Sequence, residues 1–221
     1  MNYGKLSESI AINEAIYRCF EAISVSNQKK FVKKFKEQPH EESQVMDTFR
    51  ELVLGAFLGS SKFNIEYERE IEEKTPDWCI VDEKSKIKCI IELINYHIDK
   101  VTDDEIDAKK KAGNSFIGYR PDQNDPFHNR SYSRIQGKAT YYKGLIQNNN
   151  LPYVIALFAD FKSAVDYEDI KRILFGEDPI FKLYPEVSGV LFFTENLGRY
   201  SFFYFANPFA TNSLSLPSGI F

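Results

Sequence analysis

The spacing of hydrophobic residues changes near residue 60, and this change constrains the fold most strongly. Before it, apolar residues recur about every 3.6 positions, which predicts helices over residues 5–24, 28–36 and 41–58. After it, short apolar runs predict strands over residues 63–68, 78–81, 87–94, 151–159, 187–193 and 200–205, with helices over 130–148 and 166–175. This order predicts an α/β domain with a central mixed β-sheet flanked by helices.

The length of 221 residues predicts one domain over residues 1–221. Within it, residues 1–40 are expected to form an N-terminal helical extension. Residues 99–129 are polar and rich in Gly, Pro, Asn and Asp, which predicts an insertion or a mobile loop.

The composition narrows the class of protein. Apolar residues make up 43% of the chain, enough for a sizeable core. A net charge of -4 argues against a protein coated in positive charge, but it leaves room for a local basic face. Three cysteines, far apart and without CxxC spacing, favour a reducing compartment over a zinc cage or a disulfide framework.

The location and cofactor predictions rest on missing patterns. The N-terminal sequence does not resemble a signal peptide, and no apolar run approaches the ~20 residues of a membrane span, so we expect a cytoplasmic protein that does not bind membranes. The sequence contains no GxxxxGK[ST] loop, so no nucleotide cofactor is expected.

The segment over residues 75–94 carries the most chemical information, because it reads as two strands joined by a polar turn. With Lys84 and Ser85 as the turn, the predicted facing pairs are Asp82 with Ile87, Ile80 with Cys89, and Asp77 with Glu92. Residues that face each other in an antiparallel pair point to the same side, with Cβ atoms about 4.5–5.5 Å apart. The register therefore predicts two neighbouring carboxylates at one end of an apolar hairpin.

Glu92 interrupts a strand that is otherwise apolar, where an ionised carboxylate is costly unless it is paired or bound to a metal. Carboxylates without His or thiolate partners suit Mg²⁺ or Mn²⁺, which can polarise a phosphodiester and activate water. Glu51 on the third helix could approach the same pair. The alternatives are that Glu92 pairs with a Lys or Arg, that Asp77 only shapes the turn after Pro76, and that Glu51 is solvated.

A basic stretch with interleaved aromatic residues lies over residues 118–143 and could follow a phosphate backbone. The segment 28–36 is a second basic stretch. The candidate nucleic-acid contacts are Arg130, Arg134, Lys143, Tyr141, Tyr142 and Lys33. The alternative is that residues 118–143 contain an ordinary basic helix face.

These residues resemble the PD-(D/E)xK nuclease superfamily, in which a helix bears a Glu, one strand opens with Pro-Asp and the next ends in Glu-x-Lys. Glu51, Pro76-Asp77 and Glu92 occur in that order, and the resemblance covers roughly residues 42–160. It implies a restriction-endonuclease-like fold and a Mg²⁺-dependent endonuclease acting on DNA, with Asp77, Glu92 and Glu51 holding the metal. Many relatives act as dimers, so a homodimer is one option.

The chain departs from the family pattern at Ile94, where the family places the lysine that orients the attacking water. Lys138 on the following helix is the candidate replacement, with Gln136 as an auxiliary. Lys88 is a weaker candidate, because it lies about 13 Å from Glu92 along the strand. The alternatives are an inactive nuclease-fold module that binds nucleic acid or a protein partner, and an α/β domain in which the pattern is accidental.

Overall fold

Three helices precede the first strand in the computed structural model, which describes residues 4–96, 100–113, 126–160, 163, 165–196 and 198–214. After a 3₁₀ turn over Lys5–Glu8, they are α1 (Ile10–Glu21), α2 (Val25–Glu37) and α3 (Glu42–Ser60). The hydroxyl groups of Ser9 and Ser24 accept hydrogen bonds from backbone N–H groups in the first turns of α1 and α2. The three predicted helices are therefore confirmed, with shifted ends.

The strands form one six-stranded mixed sheet, in which neighbours follow the order of the chain. They are β1 (Asn64–Tyr67), β2 (Trp78–Val81), β3 (Ile87–Tyr96), β4 (Tyr153–Ala159), β5 (Gly189–Asn196) and β6 (Arg199–Ala206). The β3–β4 and β4–β5 pairs are parallel, and the other three pairs are antiparallel. The prediction of an α/β fold with a mixed sheet is confirmed.

Helices fill the two parallel crossovers, because parallel strands cannot be joined by a tight turn. Between β3 and β4 lie α4 (Lys100–Lys111) and α5 (Pro126–Asn149), and between β4 and β5 lie α6 (Tyr167–Phe175) and α7 (Ile180–Leu183). Residues 99–129 were predicted to be an insertion or a mobile loop, and α4 and the start of α5 show that part of this segment is helical. The sequence of α4 is so polar that its pattern did not reveal a helix, although Ile106 is buried. Residues 112 and 113 form a turn after α4, and residues 99 and 114–125 lie outside the described ranges.

The two faces of the sheet bury different hydrophobic clusters, because successive side chains in a strand point to opposite sides. Ile91 and Leu93 belong to the cluster that includes residues of α1, α2 and α3. Ile90 and Ile94 belong to the cluster that includes residues of α5 and α6. Glu92 has the parity of the second set, so it lies on the face covered by α5.

The hairpin between β2 and β3 has the predicted pairing at its open end. Ile80 pairs with Cys89 and Trp78 with Ile91, so the next residues outward are Asp77 and Glu92. A bulge after Ile80 places Val81 opposite Ile87, so the prediction that Asp82 faces Ile87 is wrong. The irregularity lies at the turn, and the register at the carboxylate end is retained.

None of the helices in the described ranges combines the length and the apolar character that a membrane crossing requires.

Candidate active site

Asp77 and Glu92 lie side by side where β3 continues past the start of β2. The Asp77 N–H donates to Glu92 Oε2 at 3.2 Å, and the Leu93 N–H donates to Asp77 Oδ2 at 2.7 Å. The Leu93 N–H would otherwise point to a neighbouring strand, so the Asp77 side chain takes the place of that strand. These backbone contacts hold both carboxylates in place.

Lys138 reaches this pair from α5, and its Nζ forms an ion pair with Glu92 Oε1. The Glu92 side chain is only 6% exposed, whereas that of Lys138 is 37% exposed. The structure therefore brings Asp77, Glu92 and Lys138 together, although 46 residues separate the last two along the chain. Lys138 supplies an amine at a site where the sequence has Ile94 instead of a lysine.

The site contains two carboxylates, Asp77 and Glu92, but among the described residues only one cation, the Lys138 amine, pairs with them. Burial raises the pKa of Asp77 well above its usual range, and the charges of Glu92 and then Glu51 raise it further. The hydrogen bond from Leu93 and the charge of Lys138 act in the opposite direction but do not outweigh burial and repulsion. Two crowded carboxylates beside a single amine favour the binding of an additional cation.

Glu51 belongs to a separate network on the other side of the sheet. Its Oε2 accepts hydrogen bonds from Lys34 Nζ at 2.8 Å and from the Tyr67 hydroxyl group. Lys34 also contacts Glu68 Oε1 at 2.9 Å. Glu51 is thus neither solvated nor joined to Asp77 and Glu92, and it acts on Asp77 only through its charge.

The predicted set of three metal ligands does not converge. Within the described ranges, no three His, Cys, Asp or Glu side chains form a group that could hold a metal ion. The reason is that α3 packs on the sheet face opposite to α5, so its glutamate pairs with α2 instead. Asp77 and Glu92 remain as a carboxylate pair.

The helix α3 nevertheless helps to position Asp77. The indole Nε1 of Trp78 donates to the Glu51 carbonyl oxygen at 2.9 Å, and a Cβ on Gly55 would lie 1.9 Å from the Trp78 ring. Because glycine permits this close approach, α3 packs directly against the residue that follows Asp77.

Two of the predicted site residues on α5 need correction. Tyr142, predicted to contact nucleic acid, is only 2% exposed, and its ring lies 5.5 Å from that of Tyr153 in the core. Gln136, predicted to assist Lys138, is exposed and does not line the pocket next to Glu92. Residues two positions apart on a helix point about 200° apart, so Gln136 and Lys138 cannot share a face.

The remaining candidates have the following positions. Arg134 is exposed, and its guanidinium donates to the Asn95 carbonyl oxygen. Tyr141 is exposed beneath Lys74, whose Nζ lies 4.1 Å from the ring centre. Lys143 is exposed, Lys33 is exposed and lies 3.9 Å from Glu37, and the structure describes the backbone of Arg130 but not its side chain. Lys88 pairs with Asp82 at 3.1 Å, at the other end of the hairpin.

A pocket of about 440 Å³ lies beside Lys138, the residue that pairs with Glu92. It is lined by Asp47 of α3, residues 93–95 of β3, and Ser133, Arg134, Gly137 and Lys138 of α5. Four of these lining residues, Asp47, Asn95, Ser133 and Gly137, were not predicted from the sequence. Asn95 carried a signal, since it is a second polar residue near the end of a strand that is otherwise apolar.

Comparison of the chain with protein-family models, curated proteins and solved structures found no match.

Proposed function

We propose that this protein is a metal-dependent endonuclease of the restriction-endonuclease-like fold that hydrolyses phosphodiester bonds in DNA. The observation that carries the proposal is the ion pair between Lys138 and Glu92 beside Asp77. It supplies two carboxylates and one amine in a half-buried position, which are the groups that the family motif combines. A cytoplasmic location and a homodimer remain predictions.

Asp77 and Glu92 would hold the metal, and the donor set fits Mg²⁺ or Mn²⁺. Both ions favour carboxylate oxygens, and Mg²⁺ usually keeps several waters with one or two carboxylates. The raised pKa of Asp77 supports this assignment, because a cation would relieve its repulsion by Glu92. When bound, the ion would polarise the phosphodiester and lower the pKa of an attacking water.

Lys138 would place a positive charge next to the scissile phosphate, where negative charge develops in the transition state. Its flexible stem and partial exposure allow the amine to contact both Glu92 and a bound phosphate. Arg134 lies one helical turn away and would hold a neighbouring phosphate. The positive charge of α5 thus offsets the cost of bringing DNA to an acidic site.

The second candidate is a nuclease-fold module that binds a partner without cleaving it. The observation that favours it is the same ion pair, because Lys138 satisfies the buried Glu92 charge and so provides a purely structural reason for both residues. The two candidates differ in their response to Mg²⁺ and DNA: the nuclease would cleave the DNA, whereas the binding module would leave it intact.

The test compares Lys138→Met with Lys88→Met, two lysines that each pair with a carboxylate of the same hairpin. With Mg²⁺ and a panel of single-stranded, duplex and branched DNA, we expect wild-type cleavage that EDTA stops. Lys138→Met should lower the rate about 10²-fold, the scale for removing one group that stabilises transition-state charge. Lys88→Met should cleave like wild type.

Cleavage that persists at the wild-type rate in Lys138→Met would contradict the role of this lysine. A purified protein that binds DNA but does not cleave any substrate of the panel with Mg²⁺ or Mn²⁺ would favour the binding module.

A further inference from the structure

The edge of β3 is open in the part of the chain that the structure describes. Its pairing with β2 ends at Ile91, whereas its pairing with β4 continues to Tyr96. Side chains occupy the exposed edge, since the Leu93 N–H donates to Asp77 and the Asn95 carbonyl oxygen accepts from Arg134. The pocket lies along this edge, between α3 and α5.

The α5 wall of the pocket suits a phosphate group. Arg134 and Lys138 are four residues apart, so they lie on the same side of the helix. A guanidinium has five N–H groups, so the contact with the Asn95 carbonyl oxygen leaves others for a ligand, and Arg134 lines the pocket. On the α3 wall, the charge of Asp47 is balanced by Arg50 at 3.2 Å, so it does not cancel the cations.

Asn95, near the end of β3, adds an amide to the lining of the pocket. The Asn95 Oδ1 is buried and has no hydrogen-bond partner among the described residues. A buried polar atom without a partner is unfavourable, and such atoms in native proteins call for an explanation. A carboxamide can both donate and accept, which matches the polar edge of a nucleobase or a sugar hydroxyl group.

We infer that this pocket binds one unpaired nucleotide of a single-stranded DNA segment next to the phosphate that is cleaved. The inference rests on the proposed function, because it names the form of the substrate. Arg134 and Lys138 would hold the phosphates, and Asn95 would bond the base or sugar. A paired base is stacked inside a duplex, so a recess between two helices receives a nucleotide only from a single strand or after extrusion.

Two glycines of α5 provide a matched test. Gly137 lines the pocket, and Gly144 lies two turns further along the same helix. At both positions, an added Cβ would meet no atom of the described residues within 4 Å, apart from the adjacent backbone of α5. Gly137→Leu and Gly144→Leu should therefore both fold, and both should raise the melting temperature because glycine is a poor helix former. Only Gly137→Leu would fill the pocket.

The measurement is the fluorescence anisotropy of a short labelled DNA strand, alone and annealed to its complement, in EDTA so that no metal-dependent cleavage occurs. We expect the single strand to bind at least ~10-fold more tightly than the duplex. Gly137→Leu should weaken single-strand binding by about 10-fold or more, whereas Gly144→Leu should not. Asn95→Leu should weaken it by about 10-fold without lowering the melting temperature.

Equal binding by Gly137→Leu and Gly144→Leu, or equal binding of single strand and duplex by wild type, would overturn the inference. Failure of the nuclease proposal would give a different combination of binding and cleavage results. Pocket-dependent binding of the single strand without Mg²⁺-dependent cleavage would support the pocket and refute the nuclease. Cleavage of a single strand that Gly137→Leu and Gly144→Leu perform equally well would refute the pocket and leave the nuclease intact.

Discussion

Asp77→Asn is expected to abolish cleavage while making the folded protein more stable. The asparagine Oδ1 can still accept the hydrogen bond from the Leu93 N–H, so the backbone at the end of β3 keeps its partner. The variant loses the charge that would hold the metal. A metal contribution of ~4 kcal/mol to the transition state corresponds to a rate loss on the order of 10³-fold or more.

The gain in stability follows from the charge that the substitution removes. The pKa of Asp77 is raised by burial and by the charges of Glu92 and Glu51, so its ionised form is unfavourable in the folded state. Neutralising it should add roughly 1 kcal/mol to the free energy of unfolding, as stabilising substitutions at functional sites commonly do. Urea denaturation of both proteins measures this difference.

The pH dependence of stability provides an independent check that Asp77→Asn stabilises the folded state. The pKa of Asp77 is higher in the folded state than in the unfolded state. Asp77 therefore lowers the free energy of unfolding at every pH at which the unfolded chain has lost this proton. The cost is absent below about pH 4, where Asp77 is protonated in both states, and grows as pH rises toward the folded pKa. The advantage of Asp77→Asn over wild type should therefore be larger at about pH 8 than at about pH 5.

Glu83→Gln is the control, since Glu83 is exposed in the hairpin turn and should change neither cleavage nor stability. If Asp77→Asn cleaves DNA at the wild-type rate, Asp77 does not hold a catalytic metal. A variant that is inactive and also less stable would show that Asp77 serves mainly as a structural partner of β3.

Lys34→Met is expected to cause the largest loss of stability among the charge substitutions. Lys34 Nζ contacts Glu51 at 2.8 Å, the Tyr67 hydroxyl group at 2.6 Å and Glu68 at 2.9 Å. Its removal leaves two neighbouring carboxylates without their cation. Breaking a fully buried pair costs about 3–5 kcal/mol; because the Lys34 side chain is 29% exposed, we expect roughly 2–3 kcal/mol, after allowance for solvent screening.

Lys33→Met is the matched control on the same helix. The Lys33 side chain is 72% exposed and lies 3.9 Å from Glu37, so its loss should cost less than about 0.5 kcal/mol. Adding Glu51→Gln to Lys34→Met should recover part of the stability, because it removes the uncompensated charge. A double variant as unstable as Lys34→Met would show that packing of the lysine stem, and not its charge, stabilises α2 against α3.

The loss of stability in Lys34→Met should also change with pH in a defined direction. Burial raises the pKa of Glu51, and Lys34 counteracts part of that shift. Without Lys34 the pKa of Glu51 rises further, so the folded state binds its proton more readily. The deficit of Lys34→Met relative to wild type should therefore shrink as pH falls from about 8 to about 5.

The sequence alone determined the elements and the carboxylate hairpin. The periods of 3.6 and 2 are local properties, and they located the six strands and all helices except α4 and the short α7. The pairing of Asp77 with Glu92 was equally local, because a short antiparallel hairpin sets its own register. The bulge near Val81 altered the turn without reaching that end.

Tertiary packing alone decided which side chains meet that hairpin. Lys138 reaches Glu92 because a crossover of two helices returns α5 to the same face of the sheet, and the rotation of α5 exposes Tyr141 but buries Tyr142. Glu51 falls on the opposite face and pairs with Lys34. Residues far apart in sequence meet according to how helices rotate and dock on the sheet, and hydrophobic periodicity identifies the buried face of a helix without specifying its neighbour.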